Sequence, residues 1–259
     1  MINADTARPP SRLLLLSEMR AFYELAGFLG AMPWLRTLPR GDGHPVLVLP
    51  GLAASDVSTR PLRGFLRDRG YAAHGWNLGR NVGFRQGVEE RQLERLQELR
   101  RRYGRKVSLV GWSLGGIYAR ELARKAPDDV RLVITLGSPV RGNPKASNAW
   151  RLYEALAGHS VDVARSKIDA DPPPVPTTSV FSRSDGVVAW ECTMEPSGPQ
   201  SESVEIESSH CGIGFHPASL FVVADRLAQP EGTWAPFDRS GLRSIFYPDP
   251  WRGEPRAAA

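Results

Sequence analysis

The residues most able to do chemistry are a serine between glycines and the groups that could activate it. Gly111-Trp112-Ser113-Leu114-Gly115, with Gly116 next, follows the apolar run Val107–Val110 and opens a predicted helix from about Leu114 to Lys125. A serine on such a strand-to-helix turn stands clear of the sheet, and the helix start faces any negative charge that develops beside it. The hydroxyl is weakly nucleophilic alone and needs a base, which needs an orienting acid. After an elbow of this kind the acid and then the histidine follow in chain order. Of the five histidines, His44, His74 and His159 precede any acid that fits this order or lie in the wrong element. His210 follows the predicted strand Val204–Ile206 in the loop Ser209-His210-Cys211-Gly212, so it is preferred over His216, which stays open. Asp185, in Ser182-Arg183-Ser184-Asp185-Gly186 after the predicted strand Thr178–Phe181, is the candidate acid; a plain turn residue is the other reading.

These three candidates require strands that end at one edge and helices that return the chain. Short apolar runs at Val46–Leu49, Val107–Val110 and Leu132–Leu136 suit strands covered on both faces. Tyr71–Trp76, Thr178–Phe181 and Val204–Ile206 complete six predicted strands. Helical spacing is predicted near 60–69, over 88–103 and 114–125, and at Pro217–Leu227. Strands alternating with helices predict an α/β domain, residues 41–230, around a mainly parallel sheet. Within it, 142–172 reads either as a small cap over the site or as a crossover helix with a proline-rich exit. Asn143-Pro144 is the expected helix start there and Gly158 the expected stop. Residues 1–40 hold a predicted amphipathic helix at 11–32, with Leu15, Met19, Phe22, Leu25 or Ala26, and Leu29 as its apolar stripe. That helix either packs on the domain or lies at a membrane interface or substrate mouth. Residues 231–259 lack periodicity and predict an irregular tail.

Composition excludes several classes. The 259 residues hold 41% hydrophobic and 24% charged side chains, an ordinary globular balance. Two cysteines rule out a disulfide-rich scaffold or a four-thiolate metal site. The net charge of +5 is spread along the chain, and no nucleic-acid-binding motif accompanies it, so nucleic acid is not an expected partner. Asn77–Gly83 is glycine-rich but lacks the Gly-Lys-Ser/Thr of a P-loop, so it predicts a turn at the site wall. The leucines at 13–16 are followed at once by Glu18 and Arg20, which fits neither a signal peptide nor a membrane span. The expected compartment is the cytoplasm, with peripheral membrane contact left open; oligomeric state is not legible.

With these motifs in place, the sequence resembles the α/β-hydrolase superfamily, most of all its bacterial lipases and esterases. The resemblance rests on Pro50-Gly51-Leu52, the elbow Gly111–Gly115, Leu136-Gly137-Ser138-Pro139, and the Asp185-Gly186 and Ser209–Gly212 loops, covering about 44–228. It implies an α/β-hydrolase fold and an oxyanion hole made by the backbone N–H groups of Leu52 and Leu114. The chain departs from the pattern at Pro50 and Trp112, where many lipases carry histidine.

The expected activity is serine-dependent hydrolysis of carboxylic esters by Ser113, His210 and Asp185 through an acyl-enzyme. A small-molecule or lipid ester is the expected substrate, and neither metal nor organic cofactor is needed. An acyltransferase or thioesterase with the same triad, and a non-catalytic binding protein on the scaffold, remain as alternatives. Cys192 and Cys211 lie in or near the two site loops, so a disulfide and two free thiols are both open.

Overall fold

The computed structural model describes residues 2–166, 168–196 and 198–252; the end of the expected tail, 253–259, lies outside the described residues. Six parallel strands form the sheet: β1 Pro45–Leu49, β2 Ala72–Gly75, β3 Val107–Trp112, β4 Val130–Leu136, β5 Thr177–Phe181 and β6 Ser201–Glu205. Their spatial order is β2-β1-β3-β4-β5-β6. The chain leaves β1 toward one edge and comes back to place β3 on β1's other side. The strand order therefore reverses between β1 and β3, the point where open α/β sheets form a crevice beyond their carboxyl ends.

Helices cover both faces, which is why β1, β4 and β5 are buried throughout; β1 reads as an unbroken apolar run, whereas β5 buries Thr177, Thr178 and Ser179. On one face lie α3 (Arg60–Asp68) and α8 (Pro217–Ala228), whose Leu62, Phe65, Leu66 and Leu220 share a core with Val48 and Ile134. On the other lie α4 (Val88–Tyr103) and α5 (Leu114–Lys125), whose Leu96, Leu99 and Leu122 pack on Leu47 and Leu109. The segment after β4 contains α6 (Trp150–Ala157) and α7 (Val161–Arg165), with Tyr153 and Ala157 packed on the second core. Gly158 ends α6 at φ 78° as expected, but Asn143-Pro144 does not begin it. Instead Asn143 Oδ1 accepts from the Lys145 N–H at 2.9 Å, a local turn that competes with helix, and its amide donates to Ala7 O at 3.1 Å.

The N-terminal helix differs from expectation in which face it buries. It runs as α1 (Arg12–Ser17), one 3-10 turn (Glu18–Arg20) and α2 (Ala21–Leu35). The predicted stripe faces solvent: Met19 is 66%, Phe22 68% and Leu29 63% exposed. The inward stripe contains Glu18, Phe28 and Leu35, with Leu14, Ala21 and Glu24 half-buried. Its first half meets loops rich in unpaired amides, which need acceptors; its second half meets the apolar core. The tail is also more ordered than its sequence suggests. Phe237 and Tyr247 are buried against α8, with rings 4.9 Å apart, and a short helix α9 (Arg243–Phe246) lies between them. Among the described residues, no helix is long and apolar enough to cross a membrane.

Candidate active site

Ser113 occupies the turn between β3 and α5 with φ 53° and ψ −122°, a conformation that costs a non-glycine residue roughly 1–3 kcal/mol. Its N–H donates to Leu136 O at 2.8 Å, fixing the elbow to β4. The flanking glycines are demanded by packing. A Cβ on Gly115 would lie 2.2 Å from Leu49 O, so α5 can approach β1 only where that side chain is missing.

The Asp185 and His210 loops converge on this hydroxyl from the ends of β5 and β6. His210 Nε2 is 3.0 Å from Ser113 Oγ, and Nδ1 is 2.6 Å from Asp185 Oδ2. A proton on Nδ1 satisfies both contacts, leaving Nε2 to accept from the serine. Asp185 Oδ1 accepts from the Val187 and Val188 N–H groups, both at 2.8 Å, which fixes the carboxylate and leaves Oδ2 for the imidazole. Trp112 Nε1 donates to His210 O at 3.0 Å, so the elbow's own tryptophan tethers the histidine loop. Gly137, at φ 58°, lies beneath the pair; a Cβ there would sit 3.1 Å from His210 Nδ1. Burial disfavours the charged imidazole, but the Asp185 charge and hydrogen bond, with Glu18 adding, outweigh it and raise the His210 pKa.

The turn after β1 closes the site on the opposite side. Gly51 lies against Ser113, and Leu52, Ser113 and Leu114 line one cleft. Asn81, fully buried, holds this turn: its side-chain amide donates to Pro50 O at 2.8 Å and its backbone carbonyl accepts from Ala53 N at 2.7 Å. The cleft encloses about 100 Å³ and is mainly apolar, with Ile117, Tyr153, Val161 and Ile168 among its walls. Tyr153 and Val161 come from the 142–172 segment, so that segment lines part of the cleft.

The other histidines are elsewhere. His74 contacts Tyr103 Oη at 2.8 Å, His159 contacts Phe84 O at 2.7 Å, and His216 accepts from Ala218 N at the start of α8. His44 forms a second Asp-His-Ser series, with Nδ1 2.5 Å from Asp42 Oδ1 and Nε2 2.8 Å from Ser108 Oγ. His44 and Ser108 are both wholly buried at the amino ends of β1 and β3, so no substrate reaches them. Chain order (Asp42, His44, Ser108 against Ser113, Asp185, His210) separates the two series, and access does so again. The two cysteines are free thiols. Cys192 is packed among Ala4, Ala146 and Val188, its thiol pushed up to about 11 by burial, whereas Cys211 is exposed; the disulfide left open by the sequence does not form.

Several site residues escaped the sequence reading. Arg20 donates to Ser184 O at 2.8 Å, and Glu24 accepts from Ser209 N at 2.7 Å. Glu18 accepts from Gly186 N at 2.7 Å, His210 N at 3.0 Å and Cys211 N at 2.8 Å. Acids and a cation interrupting an apolar helix were the available signal. Asn81 lay in the glycine-rich turn already flagged.

No protein-family profile matches the sequence, and no curated protein sequence is similar to it. Solved structures are similar in fold. Aspergillus fumigatus lipase B aligns over 74% of this chain with TM-score 0.56 and 16% identity; the aligned part is 54% of that protein, so the chain spans about half its length. The mature form of a Bacillus licheniformis lipase aligns over 73% of this chain and 94% of its own, with TM-score 0.54 and 18% identity. Mouse alpha/beta hydrolase domain-containing protein 10 aligns over 72% and 88%, with TM-score 0.50 and 14% identity. The parallel six-stranded sheet with helices on both faces, together with these neighbours, identifies the architecture: the chain has the α/β-hydrolase fold.

Proposed function

We propose that this chain is a serine-dependent hydrolase of carboxylic esters. The observation that carries the reading is Ser113 Oγ at 3.0 Å from an imidazole whose other nitrogen is 2.6 Å from Asp185, at the mouth of an apolar cleft. Ser113 Oγ attacks the ester carbonyl as His210 Nε2 takes its proton. The backbone N–H groups of Leu52 and Leu114 stabilise the oxyanion, each such donor being worth on the order of 3 kcal/mol. The imidazolium returns the proton to the leaving alkoxide, the alcohol departs, and an acyl-Ser113 ester remains. Water, deprotonated by the same histidine, then releases the acid. The apolar cleft walls favour an acyl chain, and the exposed apolar face of the N-terminal helix favours delivery from a lipid surface. The lipases among the fold neighbours support the same class.

The test uses p-nitrophenyl esters of graded acyl length and a fluorophosphonate probe. The parent is expected to turn over these esters and to be labelled at Ser113, and Ser113→Ala to lose both while keeping its melting temperature within a few degrees. Ser113→Ala at near-parental turnover would show that another group does the chemistry. Product analysis with added alcohol or acyl-thioester separates hydrolysis from acyl transfer, and an unlabelled, inactive parent would favour a binding protein on this scaffold.

A further inference from the structure

The loops bearing Asp185 and His210 leave from the paired strands β5 and β6 and meet again where Ser182 Oγ accepts from the Ser208 N–H at 3.1 Å; beyond that point their side chains must meet within a few tenths of an ångström. One side chain from outside the α/β core joins them. Glu18, buried in the 3-10 turn between α1 and α2, accepts with Oε1 from the N–H of Gly186, next to Asp185, and from the N–H of His210. Its Oε2 accepts from the N–H of Cys211. Two of these amides are buried backbone donors, and leaving such a group unpaired is costly. The neighbouring residues act on the same two loops. Arg20 donates to Ser184 Oγ at 2.7 Å beside the acid, and Glu24 accepts from Ser209 N at 2.7 Å beside the base. From the other side, Trp112 holds the His210 carbonyl.

We propose that Glu18 is a positioning residue for the triad: its carboxylate ties the Asp185 loop to the His210 loop and holds the imidazole between Asp185 and Ser113. The proposal rests on the Ser113–His210–Asp185 reading given above. The polar inward face of the helix follows from this role, because an apolar side chain at position 18 would strand three loop amides.

The charged groups facing His210 are Asp185 from the loop after β5 and Glu18 from the N-terminal helix; Arg20 and Glu24 face the adjacent Ser184 and Ser209. Both carboxylates favour the imidazolium, so removing the Glu18 charge lowers the histidine pKa and moves the acid limb of activity to lower pH. A simple anchor for the helix would lower stability without moving that limb.

The experiment compares the full chain with Glu18→Gln and Glu18→Asp on p-nitrophenyl butyrate across pH, with melting temperatures and fluorophosphonate labelling in parallel. Glu18→Gln removes the charge and presents an NH₂ to an N–H. Its kcat is expected to fall by up to about 10²-fold, as for a misplacement of about 1 Å, with KM little changed. Its acid limb is expected below the parent's. Glu18→Asp keeps the charge on a shorter arm, so kcat falls while the acid limb stays near the parental pH. Parental kcat and acid limb in Glu18→Gln, or a loss that only tracks the melting temperature with the limb unmoved, would overturn the proposal; so would unfolding of both variants, which makes Glu18 a structural anchor only. Failure of the underlying reading is distinct: the parent itself would be unlabelled, or Ser113→Ala active.

Discussion

His210 must be neutral to accept the serine proton, and its surroundings set the pH at which that holds. Burial alone would lower its pKa, but the Asp185 carboxylate at 2.6 Å, helped by Glu18, raises it above the ordinary imidazole value of about 6.5. The sign follows directly: below the raised value the base is protonated and acylation stops, and above it the rate levels off. The kcat/KM of the parent for an uncharged ester is therefore expected to rise through one ionisation above about pH 6.5. Asp185→Asn leaves Ser113 and the oxyanion donors in place but favours the wrong tautomer, for a loss of up to about 10⁴-fold. A flat profile from pH 5 to 9, or a fully active Asp185→Asn enzyme, would break the pairing.

The N-terminal helix has two opposite jobs on its two faces. Inward, it supplies hydrogen bonds to the site loops; outward, it leaves Leu13, Leu16, Met19, Phe22, Tyr23 and Leu29 exposed. Apolar residues so close together on one helix exceed the scattered exposure normal for a protein surface. Arg12 and Arg36, both exposed, mark its two ends, and its two acids, Glu18 and Glu24, face inward; we propose on this ground that the outer face meets a bilayer carrying anionic lipids. Leu16→Ser combined with Phe22→Ser is expected to weaken co-sedimentation with phosphatidylglycerol-containing vesicles by at least about 10-fold, since each buried side chain contributes about 1.5–3 kcal/mol. Turnover of a short soluble ester and the melting temperature should stay near parental, because both positions are exposed. Unchanged sedimentation, or a change in oligomeric state by light scattering instead, would assign the face to another use.

Across the whole molecule, the end of the sheet away from the site carries a different pH liability. Asp42, His44 and Ser108 link the segment before β1 to β3, and Arg131 on β4 donates to Asp42 at 3.1 Å. Burial, with Arg131 and Arg105 adding, lowers the His44 pKa to about 4 despite Asp42. The unfolded imidazole takes up its proton near pH 6.5, so this contribution is complete above that pH and is lost between about 6.5 and 4. The group alone accounts for about 3 kcal/mol over that window. Urea unfolding of the parent at pH 7 and pH 4.5 should show a loss of that order, and His44→Gln a smaller one. An equal pH-dependent loss in His44→Gln would place the sensitivity in other groups.

What the amino-acid sequence determined by itself is the local part of the structure. Largely apolar runs mark β1, β3 and β4 because strands covered on both faces admit little else, whereas β2, β5 and β6 mix in polar residues such as His74, Thr177, Thr178 and Ser203. The elbow glycines mark Ser113 because α5 cannot approach β1 with a Cβ in the way. Chain order after the elbow, with the loops that end the predicted strands, favoured Asp185 and His210 over His216, and the fold brings Asp185 and His210 together. Tertiary structure decided what depends on partners distant in sequence. The helix at 12–35 turns its most apolar stripe outward because its inward face meets loop amides rather than core, and helical periodicity cannot tell those surroundings apart. Phe237 and Tyr247 are ordered by α8, not by any pattern of their own. The Asp42–His44–Ser108 series has the residue types of a triad in another chain order, and its burial at the closed end of the sheet confirms that it is not the one that opens onto a cleft. Glu18 reaches across 168 residues to Gly186 and 192 to His210, a separation that no local spacing encodes.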